Sequence, residues 1–259
     1  VATETNQLVN HVSGDPETGA NGGAGRAVIS RDGRTIVYET TATDLQAGVV
    51  DTNNVTDIYA YDVTTGINRL VSHEAGLPEQ TADNASFSAV ISADGNKIAY
   101  ETLATNLMAG VIDENGSNDI YSYDLQTGTN KLISHRNSQP TIAAFGHSGT
   151  PRLSGDGSRI VFVSTANNFS SVYLFDLVSD SITLAGRPLR DMDALGLGDG
   201  ASDGAATISD DGTLIAFQRR AGGPYLGFTL NSDYNVFLYR VTTGQTELIS
   251  SRAGSTTFS

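Results

Sequence analysis

Short stretches in which apolar and polar residues alternate recur along the whole chain, and turns that contain glycine separate them. In the stretch 120–125, Ile-Tyr-Ser-Tyr-Asp-Leu, successive side chains are expected on opposite faces of a β-strand. The pair Asp94-Gly95 lies between the stretches 89–92 and 97–102, and it predicts a hairpin because glycine accepts a positive φ. The pattern therefore predicts short antiparallel strands. Only residues 187–203 suggest a short helical turn, which their glycines disfavour.

The predicted strands form a unit that occurs four times. A first-hairpin marker, Ser-x-Asp-Gly after an aliphatic residue, occurs at 29–33, 91–95, 153–157 and 208–212. A third-strand marker of the type Ile-Tyr-x-Tyr-Asp occurs at 58–62, 120–124, 172–176 and 236–240. The first two copies are 62 residues apart, the third is about ten residues shorter between its second and third strands, and the fourth carries a different loop, 218–235. Four strands in a repeat of about sixty residues predict an all-β fold, a β-propeller of four-stranded antiparallel blades.

Residues 1–259 are predicted to form a single propeller or a piece of one, with blades at about 27–73, 88–135, 150–184 and 205–251. The fourth strand occurs five times, because residues 5–12 supply an extra outer strand of a preceding or closing blade. Either the chain is a fragment of a larger propeller, or its four blades close into a small ring. We favour the fragment, because the chain ends in a linker that resembles the one before a first strand.

The repeat markers resemble the TolB-type, WD40-like β-propeller repeats. Their second strand has the form seen at 97–102, Lys-Ile-Ala-Tyr-Glu-Thr. The chain is most similar to a subgroup of bacterial extracytoplasmic proteins whose blades carry Ala-Thr-(Asn/Asp)-Leu and then Asp-x-Asn-x-x-x-Asp. Residues 42–45 and 104–107 match the first of these two elements. The resemblance implies a propeller and an extracellular, cell-surface or periplasmic location, and it implies a fold more than an activity.

Charge and composition remove several classes of function. The formal net charge is -14 and the isoelectric point is about 4.4, so the surface repels phosphate backbones and no nucleic-acid partner is expected. The chain has no cysteine, which excludes disulfides, thiolate metal sites and a cysteine nucleophile. No apolar stretch approaches the roughly twenty residues that a membrane helix needs, so no membrane insertion is expected.

Two acidic loops are the candidate metal sites. Their oxygen-bearing side chains fall at alternate positions, as at the start of a calcium-binding loop, and Ca²⁺ prefers oxygen ligands. The glycine and the bidentate glutamate of a complete EF-hand are missing. The alternative is a turn whose carboxylates accept hydrogen bonds from backbone amides. The predicted ligands of a structural Ca²⁺ are Asp51, Asn53, Asp57, Asp113, Asn115, Ser117 and Asp119.

No catalytic site is predicted. His11, His73 and His135 are 62 residues apart, but each lies on an outermost strand, so repetition explains their spacing better than a shared metal ion does. No Gly-x-Ser-x-Gly nucleophile motif is present. The serine and aspartate of Ser-x-Asp-Gly recur in every copy, which favours a structural role in the turn. The chain is therefore predicted not to be an enzyme.

The loop 218–228 is basic and aromatic in an otherwise acidic chain, and Arg219, Arg220 and Tyr225 are its predicted partner-binding residues. The alternative is that the two arginines neutralise neighbouring carboxylates. The predicted function is a non-catalytic scaffold that binds a protein or a glycan. The alternatives are a structural repeat of a surface polymer or adhesin that self-associates through open blade ends, and an accessory propeller of a hydrolase.

Overall fold

The structure is a computed structural model, and it describes residues 6–166, 170–185, 206–220, 223–225, 228–230 and 234–250. Within these ranges the chain forms twenty-four β-strands and no α-helix. These described residues accordingly contain no helix of the length and apolarity that a membrane span requires. Sixteen strands build four antiparallel sheets of four strands, and the other eight pair as two-stranded hairpins.

The sheets follow one another along the chain as blades 1 to 4, and an outer hairpin precedes each of the first three. Outer hairpin 1 contains β1 (His11–Val12) and β2 (Asp15–Gly19), and blade 1 contains β3 (Ala24–Ile29), β4 (Thr35–Thr40), β5 (Asp57–Asp62) and β6 (Ile67–Leu70). Outer hairpin 2 contains β7 (His73–Glu74) and β8 (Leu77–Thr81), and blade 2 contains β9 (Ser86–Ile91), β10 (Lys97–Thr102), β11 (Asp119–Asp124) and β12 (Thr129–Leu132). Outer hairpin 3 contains β13 (His135–Arg136) and β14 (Gln139–Ala143), and blade 3 contains β15 (Ser148–Leu153), β16 (Arg159–Ser164), β17 (Ser171–Asp176) and β18 (Ser181–Leu184). Blade 4 contains β19 (Ala206–Ile208), β20 (Leu214–Arg220), β23 (Tyr234–Arg240) and β24 (Gln245–Leu248), with the hairpin β21 (Gly223–Tyr225) and β22 (Phe228–Leu230) between its second and third strands.

The Ser-x-Asp-Gly marker forms a hydrogen-bonded turn between the first two strands of a blade. In blade 2 the Ser92 hydroxyl donates to Asp94 Oδ1 at 2.6 Å, and the backbone N–H of Lys97 donates to Ser92 Oγ at 3.0 Å. Gly95 has a φ of 76°, a left-handed conformation in which a β-carbon is unfavourable. The same serine–aspartate bond recurs in the other three blades, which confirms the structural role predicted for these residues.

The fourth strands are shorter than predicted. In blade 2 the fourth strand ends at Leu132. Beyond it, the Ile120 N–H donates to the Ser134 hydroxyl at 2.9 Å and not to the backbone of the fourth strand, and the same hydroxyl donates to Asp119 at 2.6 Å. The chain then starts an outer hairpin at His135, where the sequence predicted only a link between blades. Blade 4 differs in the opposite direction, since β20 and β23 are longer than predicted and extend into the predicted loop 218–235.

The first strands of all four blades converge on one axis. At one end of this axis the turns form a chain of backbone hydrogen bonds, from Asp32 N–H to the Ala93 carbonyl, from Ala93 to Gly155 and from Gly155 to Asp210, with N–O distances of 2.8–3.3 Å. An ion pair between Arg31 and Asp210 links the turns of blades 1 and 4. The four repeats therefore share one axis, as the blades of a propeller do.

Buried apolar clusters connect each blade to the next, and further apolar packing lies within each blade. An aromatic pair from the second and third strands stacks inside every sheet, and the pairs are Tyr38–Tyr59, Tyr100–Tyr121, Phe162–Tyr173 and Phe217–Phe237. Inner strands β9 and β15 are largely covered by the preceding blade, whereas β3 is mostly exposed and leaves Ile29 59% exposed. Blade 1 therefore has one open face.

Candidate functional site

Each outer hairpin packs against the blade that follows it, and these contacts are named junctions 1, 2 and 3. A histidine begins each hairpin, and its ring lies edge-on against an aromatic ring of the following blade at centroid distances of 5.4–5.9 Å. The three histidines are buried, and each Nδ1 lies 2.8 Å from the carbonyl oxygen of the next residue. The pairs are His11–Tyr61, His73–Tyr123 and His135–Phe175. These separate positions support the prediction that repetition explains the histidine spacing.

The acidic loop of blade 1 forms a closed network of hydrogen bonds. Asp51 Oδ1 accepts the backbone N–H groups of Asn53 and Asn54 at 3.0 and 2.8 Å. The Asn53 amide donates to the Ala82 carbonyl at 2.7 Å, which fastens the loop to outer hairpin 2. Asp57 is buried and accepts the hydroxyl hydrogen of Ser72 at 2.9 Å. The hydrogen bonds expected for a turn are present.

The acidic loop of blade 2 repeats this arrangement. Asp113 accepts the N–H of Asn115, Asn115 accepts the N–H of Ser117, and the Asn115 amide donates to the Ala144 carbonyl. Burial, with a smaller contribution from the nearby Asp113 carboxylate, raises the pKa of Asp119 to about 7, and the hydrogen bond from Ser134 opposes this rise. Burial has the same effect on the pKa of Asp57, with Asp51 as the nearby carboxylate. Within the described part of the chain, no group of three histidine, aspartate or glutamate side chains lies close enough together to hold a metal ion. The Ca²⁺ site therefore stays a prediction.

The structure changes the prediction for one of the three partner-binding residues. Arg219 lies in β20 opposite Asn235, and it is only 5% exposed. A side chain buried to this extent does not form an exposed anchor, so Arg219 is removed from the predicted surface. The backbone positions of Arg220 in β20 and Tyr225 in β21 are described, but their side chains are outside the described residues. Their role stays a prediction.

Junctions 1 and 2 are closed by the sixteen-residue loop between the second and third strands of the following blade, residues 41–56 and 103–118. At junction 2 the Ala75 N–H donates to the Asn106 carbonyl at 2.9 Å, and the Asp83 N–H donates to Asn106 Oδ1 at 2.9 Å. The neighbouring Leu107 is 2% exposed and belongs to a buried cluster with Ala82 and Tyr100. At junction 1 Leu45 is buried in the same way. A leucine of the loop therefore fills each of these two junctions.

Junction 3 has a cavity in this place. The corresponding loop of blade 3 has six residues, 165–170, and the structure describes 165, 166 and 170. A cavity of about 210 Å³ lies between outer hairpin 3 and blade 3. Among its lining residues, Ala144, Phe162 and Tyr173 correspond in the repeat to Ala82, Tyr100 and Tyr121 of junction 2. The cavity therefore lies at the position that the buried leucine occupies in the other two junctions.

The walls of junction 3 are more apolar than those of junction 2. At junction 2 the Tyr100 hydroxyl donates to Asn130 Oδ1 at 2.6 Å, and the Asn130 amide donates to the Val71 carbonyl at 3.0 Å. Blade 3 has Phe162 and Ile182 at the positions of Tyr100 and Asn130, and both residues line the cavity. The loss of these two polar groups leaves a surface that suits an apolar ligand.

The rim of the cavity carries two residues that the other junctions lack. Phe145 is 60% exposed and stands where junction 2 has Asp83. Arg136 stands where junction 2 has Glu74, and its guanidinium carbon lies 3.8 Å from the centre of the Phe145 ring. The guanidinium also donates to the Ala143 carbonyl at 3.2 Å. A stacked arginine and aromatic ring are typical of protein-binding surfaces.

The chain is similar to known proteins in structure but matches no curated protein in sequence. No protein-family model and no curated protein sequence matches the chain. Among solved structures, TolB from Acinetobacter baumannii is similar over 91% of this chain and 46% of its own, with 18% identity and a TM-score of 0.49. A structure from a study of two prolyl endopeptidases covers 90% of this chain and 30% of its own, with 12% identity and a TM-score of 0.52. Puromycin hydrolase is similar over 89% of this chain and 29% of its own, with 17% identity and a TM-score of 0.51.

The chain has a β-propeller fold. The four antiparallel blades around one axis show this fold, and the structural similarity agrees with it. The chain spans about half the length of TolB and about 30% of the prolyl endopeptidase and puromycin hydrolase structures, at identities that show a shared fold only. The predicted fold class and the predicted likeness to TolB-type propellers are confirmed at this level.

The cavity of this propeller was not predicted from the sequence, although its signals are there. The third copy lacks about ten residues of the loop, Phe145 and Ile182 replace the asparagine or aspartate that recurs at their positions, and Arg136 replaces Val12 and Glu74 of the first two copies. None of these changes forms a known motif. In the structure, these three residues lie together at the cavity of junction 3.

Proposed function

We propose that the chain is a non-catalytic propeller scaffold that binds a protein partner, and that it does so at junction 3. The observation that carries this proposal is the apolar cavity beneath Phe145 and Arg136, built where the repeat departs from its own pattern. Exposed aromatic and arginine side chains beside an apolar cavity are the features that concentrate binding energy in protein interfaces.

Non-catalytic scaffolding is supported by the roles of the residues that could perform chemistry. The recurring serines and aspartates hold turns, and the three repeated histidines pack against aromatic rings. The buried acids Asp57 and Asp119 accept hydrogen bonds from Ser72 and Ser134. Within the described residues these groups act in the architecture of the blades. An extracellular, cell-surface or periplasmic location belongs to the proposal and follows from the resemblance of the repeats.

Two alternatives have their own supporting observations. The open face of blade 1, with Ile29 exposed, suits self-association, and light scattering over a range of protein concentrations would detect it. The fold shared with parts of a prolyl endopeptidase structure and of puromycin hydrolase suits an accessory propeller of a hydrolase. For that alternative, the gene sequence on either side of this segment should encode a catalytic domain. A glycan ligand is tested by a glycan array with the same protein.

The test of the proposal is selection of peptides from a displayed random library. The wild-type chain is the target, and clones are compared on two variants, Phe145→Asp and Arg136→Glu. Both variants introduce the residue that junction 2 already carries at that position, so the fold is expected to tolerate them. The proposal predicts clones that bind the wild type and lose binding to at least Phe145→Asp. Clones that bind all three proteins equally, or a failure to enrich any clone, would contradict it.

A further inference from the structure

We infer that the junction 3 cavity recognises an Asp-Leu segment of a protein partner, with the leucine side chain inside the cavity and the carboxylate at Arg136. This inference rests on the proposed function and gives the chemistry of the partner. In junctions 1 and 2, a buried loop leucine among the described residues fills the corresponding space.

The internal loops show which side chain fits the space. Leu45 and Leu107 are each 2% exposed, and both follow an alanine by three positions in the pattern Ala-Thr-Asx-Leu. Each is clamped between an outer hairpin and the next blade, at the position that corresponds to the cavity. In both junctions, the leucine side chain of a polar loop therefore fills the space.

The size of the cavity agrees with this ligand. Its volume is about 210 Å³, and an apolar cavity of about 150 Å³ in another protein accepts a benzene molecule. A leucine side chain is smaller than a benzene molecule, so the cavity is large enough to hold it. Phe162 and Ile182 offer apolar contacts where junction 2 offers a hydroxyl and an amide. Burial of the leucine is therefore the main source of affinity.

The position of the acidic residue follows from junction 1. Asp44 directly precedes Leu45, and its carboxylate accepts the backbone N–H of Asn21 at 3.1 Å. Phe145 occupies the position of Asn21 in junction 3, and the Arg136 guanidinium lies over its ring. An aspartate that precedes a bound leucine thus comes close to Arg136. The nearest guanidinium nitrogen of Arg136 lies 3.8 Å from a carboxylate oxygen of Glu114, which is too long for a hydrogen bond. The guanidinium therefore remains able to pair with a carboxylate of the partner.

The experiment uses a peptide with the sequence of residues 40–48, Thr-Thr-Ala-Thr-Asp-Leu-Gln-Ala-Gly, cyclised through added terminal cysteines to fix the loop. It is titrated into the full ¹⁵N-labelled chain while amide shifts are followed by NMR. The inference predicts saturable shifts at Arg136, Ala144 and Phe145, and none at Glu74 or Asp83 of junction 2. Changing the peptide leucine to alanine should weaken binding about tenfold or more. Changing its aspartate to asparagine should weaken binding to the wild type but not to Arg136→Glu.

Three results of this titration would overturn the inference. The first is the absence of saturable shifts at junction 3. The second is equal binding of the leucine and alanine peptides. The third concerns Phe169, which follows Ala166 by three positions as Leu107 follows Ala104, and which lies outside the described residues. If the peptide binds only to a Phe169→Ala variant, the chain itself supplies the side chain for the cavity. Library clones that need Phe145 but contain no leucine would overturn this inference and leave the proposed function standing.

Discussion

Filling the cavity with a side chain of the protein itself tests whether junction 3 differs from junction 2. Ala144 lines the cavity and is 7% exposed, and Ala82 is its counterpart in the closed junction, where it is 0% exposed. We predict that Ala144→Leu stabilises the protein and that Ala82→Leu destabilises it. The two substitutions are chemically identical, so the difference between them reports the space available at each site.

The structure sets the expected magnitudes. Ala144→Leu adds three carbon atoms, and burying them contributes about 2 kcal/mol at about 0.8 kcal/mol for each group. Fixing the new side chain costs about 0.5–1 kcal/mol, so the net gain in unfolding free energy is about 1–1.5 kcal/mol. In a protein of this size, that gain raises the Tm by about 2–5 °C. Ala82→Leu overpacks a filled core beside Leu107 and costs about 1–3 kcal/mol.

Differential scanning calorimetry of the wild type and both variants measures these shifts. A double variant, Ala82→Leu with Leu107→Ala, serves as the control, because removing Leu107 makes room for the new leucine and should recover part of the lost stability. An equal loss of Tm for Ala144→Leu and Ala82→Leu would refute the reasoning, because it would mean that junction 3 has no usable space.

Other predictions concern the closed junctions and the acidic loops. Leu107→Ala removes a buried side chain and should lower the unfolding free energy by about 2–5 kcal/mol in chemical denaturation. Burial raises the pKa of Asp119 from 3.8 to about 7, so the folded state binds the extra proton and stability falls as the pH rises from about 4 to 7. Asp119→Asn should therefore flatten this decline, which can reach about 4 kcal/mol, and should raise the Tm at pH 8 in a metal-free buffer. If the acidic loops bind the predicted Ca²⁺, adding Ca²⁺ should raise the wild-type Tm at pH 8, and Asp119→Asn should then lower it. A Tm that is unchanged by both Ca²⁺ and chelator would count against the ion.

The features that were predictable from the sequence are those fixed by neighbours along the chain. The turn at Ser92 to Gly95 depends on residues within five positions of each other, so its marker predicts the hairpin and the register of two strands. Repetition of that marker then gives the blade count. The alternation at Ile120 likewise predicts a strand, because the pattern is local.

The features that were missed depend on residues far apart in sequence. The fourth strand ends early because Ser134 bonds to Ile120, fourteen positions away, and no local pattern records this contact. Outer hairpin 3 contains Pro140 and little alternation, and its second strand also pairs through Ile142 with Ile112 in the acidic loop of blade 2. The buried position of Arg219 also follows from pairing with a strand sixteen residues later. The cavity combines a shorter loop and the residues Phe162 and Ile182 of blade 3 with Arg136 and Phe145 of the preceding hairpin and its link.

The most direct test of the account is hydrogen–deuterium exchange of the full chain with and without a peptide selected against the wild type. Binding at junction 3 predicts slower amide exchange across 134–145, with unchanged exchange in the equivalent segment 72–83. The Phe145→Asp variant should show no such protection. Protection confined to 218–235, to the turns at the axis or to the exposed strand β3 would contradict the account, because it would place the partner away from junction 3.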